Sequence, residues 1–195
     1  MVRYFIILIV LSVVSGASQL PAQPAELLFH HLGNLNEDGI NFVNDILFDS
    51  HDRVWLGGQT GFYRYDGQHY FAYRKTKDSN SIPDNFVHAL CEDKQGNIWG
   101  GTEAGIFRFN PATQEIKRYL LPDPNADQGV INICIDTHGQ LWATTAFQLL
   151  FFNPQNDSFE LMVDLSVKNL LQKATNDIRK RGMLPSPDGK MVWLA

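Results

Sequence analysis

Short apolar runs broken by polar turn residues recur along the chain. In one stretch, residues 87–92 predict a first strand, 93–96 a tight turn, 97–101 a second strand, 106–110 a third and 115–119 a fourth. The same layout occurs three times: FVNDILFDSHDRVWLGGQTGFYRYD (42–66), FVHALCEDKQGNIWGGTEAGIFRFN (86–110) and GVINICIDTHGQLWATTAFQLLFFN (129–153). The tryptophans set the register. Trp55 to Trp99 is a step of 44 residues, and Trp99 to Trp142 a step of 43. A fourth copy begins at PDGKMVWLA and reaches Trp193, two residues before Ala195.

A period of about 40–45 residues with short strands in each unit predicts β-propeller blades. The fold class expected is therefore all-β: three four-stranded blades at about 42–75, 86–120 and 129–161, with the start of a fourth at 184–195. The turn chemistry supports this. Asp49, Asp93 and Asp136 open the first hairpins, where an aspartate accepts hydrogen bonds from following amides. Gly96 and Gly139 supply the positive φ that closes them, and Asp52 takes that place in the first copy. Asp66-Gly67, Asn110-Pro111 and Asn153-Pro154 mark the third turns. The tryptophan rings are expected to fill space between adjacent blades. In the third strands, 62–65 and 106–109, alternating aromatic residues fit packed sheet faces, and Arg64 and Arg108 are expected in surface or inter-blade ion pairs, with a ligand contact as the alternative.

The third copy departs from the pattern. Gln148 stands where Gly61 and Gly105 stand, and Phe151 replaces the arginine. After Phe159 the period breaks. Val167, Leu170, Leu171, Ala174 and Ile178 fall at helical spacing, with Ser166 as cap and Arg179, Lys180, Arg181 and Gly182 at the end. An inserted helix is expected over 166–181, covering a sheet edge or acting as a lid over a site. Cys91 and Cys134 share a register, 43 residues apart. They read as two apolar thiols on inner strands, with an inter-blade disulfide as the alternative.

The N-terminus adds a compartment. Arg3 precedes a nearly continuous apolar run over 5–14, then Ser15, Gly16 and Ala17, with Ala22 as a second candidate cleavage point. This is the layout of a secretory signal peptide over residues 1–22, with an uncleaved anchor as the alternative. The run is shorter than the roughly 20 apolar residues that span a bilayer. The formal net charge is −5 and the basic residues form no broad patch, which disfavours nucleic-acid binding.

SIPDNFVHALCEDKQGNIWGGTEAGIFRFNP (81–111) resembles the two-component regulator propeller repeat, strongly in the second copy, well in the first and less in the third. The likeness runs from about residue 29 to 195, outside the helical insert. It implies the N-terminal periplasmic part of a hybrid two-component sensor. Such sensors carry two seven-bladed propellers, an Ig-like domain, one transmembrane helix, and kinase, receiver and DNA-binding modules. The implied ligands are breakdown products of complex carbohydrates. Three blades and a stub do not close a ring of four to eight, so further blades or a second chain are expected to complete it, and the reading frame is expected to be truncated.

Candidate ligand contacts lie where loops enter the first strands. Asn41, Asn85 and Gln128 share one register and read as amides that hold the inter-blade loop. Asn44 and His88 share another and differ in chemistry, which makes them the better candidates for contacts to an oligosaccharide or other small ligand. Two rivals remain. A scaffold propeller would bind other envelope proteins. A lyase or hydrolase similar to the streptogramin-lyase type would need a His/Glu constellation and a metal. No His-x-x-x-His spacing occurs, so no catalytic residue, metal or cofactor is assigned.

Overall fold

The computed structural model describes residues 39–40, 42–123 and 128–164, with two further short strands at 183–185 and 192–194. The leader (1–22), Asn41 and the helix expected over 166–181 lie outside the described residues.

The fold is all-β. The first sheet is β1 (Val43–Phe48), β2 (Val54–Gly58), β3 (Phe62–Tyr65) and β4 (Tyr70–Tyr73). The second is β5 (Val87–Glu92), β6 (Ile98–Thr102), β7 (Gly105–Asn110) and β8 (Glu115–Tyr119). The third is β9 (Val130–Ile135), β10 (Leu141–Thr145), β11 (Gln148–Asn153) and β12 (Ser158–Asp164). Each is an antiparallel meander in chain order, as a propeller blade requires. The first strands lie side by side, β1 against β5 and β5 against β9. A two-stranded hairpin, β13 (Met183–Pro185) and β14 (Val192–Leu194), follows, and β13 lies against β9. Trp193 stands opposite Leu184 in its register.

Residues paired laterally share a face. Leu47, Trp55, Arg64 and Phe71 form one such row in the first blade. It points at the second blade, where Trp55, Phe62, Leu90, Ile98, Phe107 and Phe109 make one core. Trp55 stacks on Phe62 at 5.1 Å and meets the edge of Phe109 at 5.4 Å. The second seam repeats the device. Trp99 meets Phe152 at 4.9 Å across the boundary, beside Tyr119, Leu150 and Phe159. The tryptophans of the first two blades are thus inter-blade wedges, and each such ring buries some 150–250 Å². Trp142, on the far face of the third blade, is half-buried and touches Phe151.

Close approach explains two glycines. A Cβ on Gly57 would lie 2.9 Å from Val87 Cγ1, and one on Gly101 would lie 2.6 Å from Val130 Cγ1. Both sit on a second strand where the first strand of the next blade leans in. The third copy solves its missing glycine differently. Gln148 begins β11, and β12 extends to Asp164 with a bulge opposite Leu149 and Leu150.

The cysteines are free thiols. Cys91 shares the face of Trp99, toward the third blade, and Cys134 shares the face of Trp142, away from the second. Strand β9 separates the two side chains. Burial, with Cys134 as a further cause, pushes the Cys91 thiol well above its ordinary value. Burial and the nearby Asp136 push Cys134 up to about 11.

Candidate functional site

One end of each blade is built by the first hairpin, and there the turn aspartate does more than cap amides. Asp49 accepts from the amides of His51 and Arg53, each at 2.9 Å, from Arg53 Nε at 2.6 Å and from Trp55 Nε1 at 2.8 Å. Asp93 binds Trp99 Nε1 at 2.8 Å, and Asp136 binds Trp142 Nε1 at 3.1 Å. Burial pushes the Asp49 carboxyl up, but the bonds from Trp55, Arg53 and His51 together outweigh it and hold the group below its ordinary value. Asp136 is held down by the same balance. Asp52 takes φ 59°, beside Gly96 at 79° and Gly139 at 87°. All three carboxylates bond groups of their own hairpin. The indole bond escaped the sequence reading, although Asp precedes Trp by six residues in each of the first three copies.

The opposite end holds the expected ligand positions. The register of the first hairpin skips one residue in each blade, between Val43 and Asp45, between Val87 and Ala89, and between Val130 and Asn132. Asn44, His88 and Ile131 are the bulged residues. A bulge turns its side chain out of the pleat alternation and re-aims it at the end of the sheet.

Asn44 donates from Nδ2 to the carbonyl of Val87 at 2.8 Å, strapping the first blade to the second. Beside it, Asp45 Oδ2 accepts from the amide of Leu90 at 2.7 Å, and burial raises the Asp45 carboxyl against that bond. His88 Nε2 lies 2.7 Å from Glu103 Oε1, and its ring packs on Phe86 at 4.7 Å. Glu103 sits on the β6–β7 turn, tied down by its amide to the carbonyl of Phe86. The Phe42 ring is 61 % exposed one residue before β1. The structure therefore ties Asn44 to the backbone beside His88 and adds Glu103 and Phe86 to His88.

The expected loop amides behave alike. Asn85 Oδ1 accepts from the amide of Lys75 at 2.7 Å, two residues past β4. Gln128 Oε1 accepts from the amide of Leu121 at 3.0 Å, two residues past β8, and its Nε2 donates to the carbonyl of Asp123 at 2.7 Å. Both side chains hold the linker that enters the next blade.

Arg64 and Arg108 make cation–π contacts in place of the expected ion pairs. Arg64 lies 4.5 Å from the Phe71 ring, and Arg108 lies 5.5 Å from Trp99 and 5.9 Å from Tyr119. The lateral rows cause this, because each arginine shares a face with those rings. Chemically, the end face offers amide, imidazole and carboxylate groups beside aromatic rings. The described residues contain no group of three or more His, Cys, Asp or Glu able to hold a metal. Among the described residues no helix is long and apolar enough to cross a membrane.

Residues 81–104 match the model of the two component regulator propeller. No curated protein sequence matches the chain. Among solved structures, one similar fold is the extracellular domain ascribed to the hybrid two component system BT3049 of B. thetaiotaomicron. It has 23 % identity and a TM-score of 0.58 over 66 % of this chain and 19 % of that one. The extracellular domain of the one component system BT4673 of the same organism has 18 % identity and a TM-score of 0.59, over 82 % and 21 %. Virginiamycin B lyase of Staphylococcus aureus has 17 % identity and a TM-score of 0.57, over 76 % and 46 %. The chain spans about a fifth of the length of the two extracellular domains. These likenesses establish blades of the propeller type.

Proposed function

We propose that this chain is the ligand-sensing propeller portion of an exported two-component sensor. Its end face around Asn44, His88 and Glu103 binds oligosaccharide products of complex-carbohydrate breakdown. The observation that carries this is the cluster at the bulges: a polar imidazole–carboxylate pair seated on Phe86, with the Asn44 amide bonded to the carbonyl of the residue before His88. Flat rings receive the C–H face of a sugar, and the polar groups fix its hydroxyls. The two-component regulator propeller match at residues 81–104 and the two extracellular neighbours support the sensor reading and a location outside the cytoplasm. Further blades, from the same polypeptide or from a second chain, complete the ring.

Titration calorimetry with a panel of neutral oligosaccharides tests the reading. A binder whose affinity falls about tenfold in His88→Ala supports it. Full affinity in both His88→Ala and Asn44→Ala overturns the assignment of the face, and enrichment of envelope proteins without any glycan binding favours the scaffold reading. His88–Glu103 is also a pair able to move a proton. The titrated sugars are therefore assayed for cleavage, and turnover lost in Glu103→Gln would favour a lyase.

A further inference from the structure

A second site lies at the other end of the blades, between the second and third. A cavity of about 670 Å³ opens there, lined by Arg108, Gln95, Gln140 and Phe152 and also by the carboxylates of Asp93 and Asp157. Ligand pockets commonly have volumes of this order, about 300–1,000 Å³.

The first seam explains why the cavity exists. Arg53, Asn97 and Gln140 occupy one register. In the first blade Arg53 folds over the Trp55 ring at 5.6 Å and bonds Asp49, which fills the corresponding space. Asn97 is too short to do so. It turns back onto Asp93, and Arg108 leans over Trp99 instead.

Arg108 has unspent hydrogen-bonding capacity. Among the described residues its guanidinium has ring contacts but no hydrogen-bond or ion-pair partner. The nearby carboxylates are committed elsewhere. Asp93 accepts from the amides of Gln95 and Asn97, from Asn97 Nδ2 and from Trp99 Nε1. Asp157 accepts from Lys117 Nζ and Tyr119 Oη. A planar fork of donors above an apolar wall is the arrangement that takes a carboxylate two-pronged.

We propose that this inter-blade cavity binds a small organic carboxylate, its anionic group on Arg108 and its ring-shaped body in the opening beside Phe152, Gln95 and Gln140. The site is separate from the end face and does not depend on that face binding sugar.

The test uses the full chain and two probe pairs, benzoate with benzamide and glucuronate with glucose. Trp fluorescence and calorimetry give the affinities. At least one carboxylate binds, its neutral partner binds about tenfold or more weakly, and Arg108→Gln removes the difference. Asn97→Arg supplies a second variant, since an arginine at that register already folds in the first blade. It closes the cavity, abolishes binding and keeps the native circular dichroism spectrum. The proposal fails if neither carboxylate binds, if each binds no better than its neutral partner, or if Arg108→Gln or a folded Asn97→Arg protein keeps full affinity.

Discussion

Replacing Asp49 with alanine removes one carboxylate and four hydrogen bonds. The side chain of Asp49 is fully shielded, and Trp55 is 1 % exposed. The indole N–H therefore loses its partner in a place water does not reach, which costs about 1–3 kcal/mol. Arg53 is 31 % exposed, and its pair with Asp49 adds about 1 kcal/mol. Two backbone amides lose an acceptor but face the turn surface, where water replaces it. The sum is about 3 kcal/mol, a shift of about 1.5 M in the urea midpoint for a slope near 2 kcal/mol/M. Equilibrium unfolding followed by Trp fluorescence measures it. Asp66→Ala is the control, because Asp66 also accepts two turn amides, from Gln68 and His69, but no indole. Asp49→Asn keeps the shape yet presents its NH₂ group to donors, so it falls between wild type and Asp49→Ala. If Asp49→Ala and Asp66→Ala shift the midpoint equally, the indole bond is not what makes the turn aspartate matter.

Gly101→Ala forces a methyl against Val130 and costs about 2 kcal/mol in the same assay. Gly67→Ala costs less, because nothing lies within 4 Å and only its φ of 99° resists. The Asp49 and Asp136 carboxyls sit below their ordinary value in the fold. The stability they contribute is therefore present above pH 4 and lost as pH falls through their folded values, and Asp49→Asn flattens that acid limb of a pH–midpoint curve. Because Cys134 titrates at about 11, native protein reacts slowly with a thiol-specific disulfide reagent at pH 8, and urea-unfolded protein reacts at once. Equal rates in the two states would show that the thiols are exposed.

The blades were legible because their causes are local. Asp93 and Gly96 close a hairpin within four residues, and Trp55, Trp99 and Trp142 repeat at a fixed step. The inter-blade roles of Asn85 and Gln128 were also readable, since a recurrent amide before a strand has little else to hold. The His88–Glu103 contact was not. It spans 15 residues across a hairpin, and it follows only once the bulge is known to set residue 88 beside the β6–β7 turn. The cavity beside Trp99 was equally hidden. Asn97 and Arg53 look like interchangeable polar turn residues, and only side-chain reach across the seam separates them.

The bulge in each first strand carries one more consequence. A residue within the regular pleat must suit the neighbouring blade on one side or the other. His88 and Ile131 are released from that obligation because the ladder passes them by, whereas Asn44 at the same place still reaches the next blade through the carbonyl of Val87. An amide, an imidazole and an aliphatic side chain all occupy the position without altering the sheets around them. Each described blade thus carries one position whose side chain can be rewritten while the sheet that displays it stays the same.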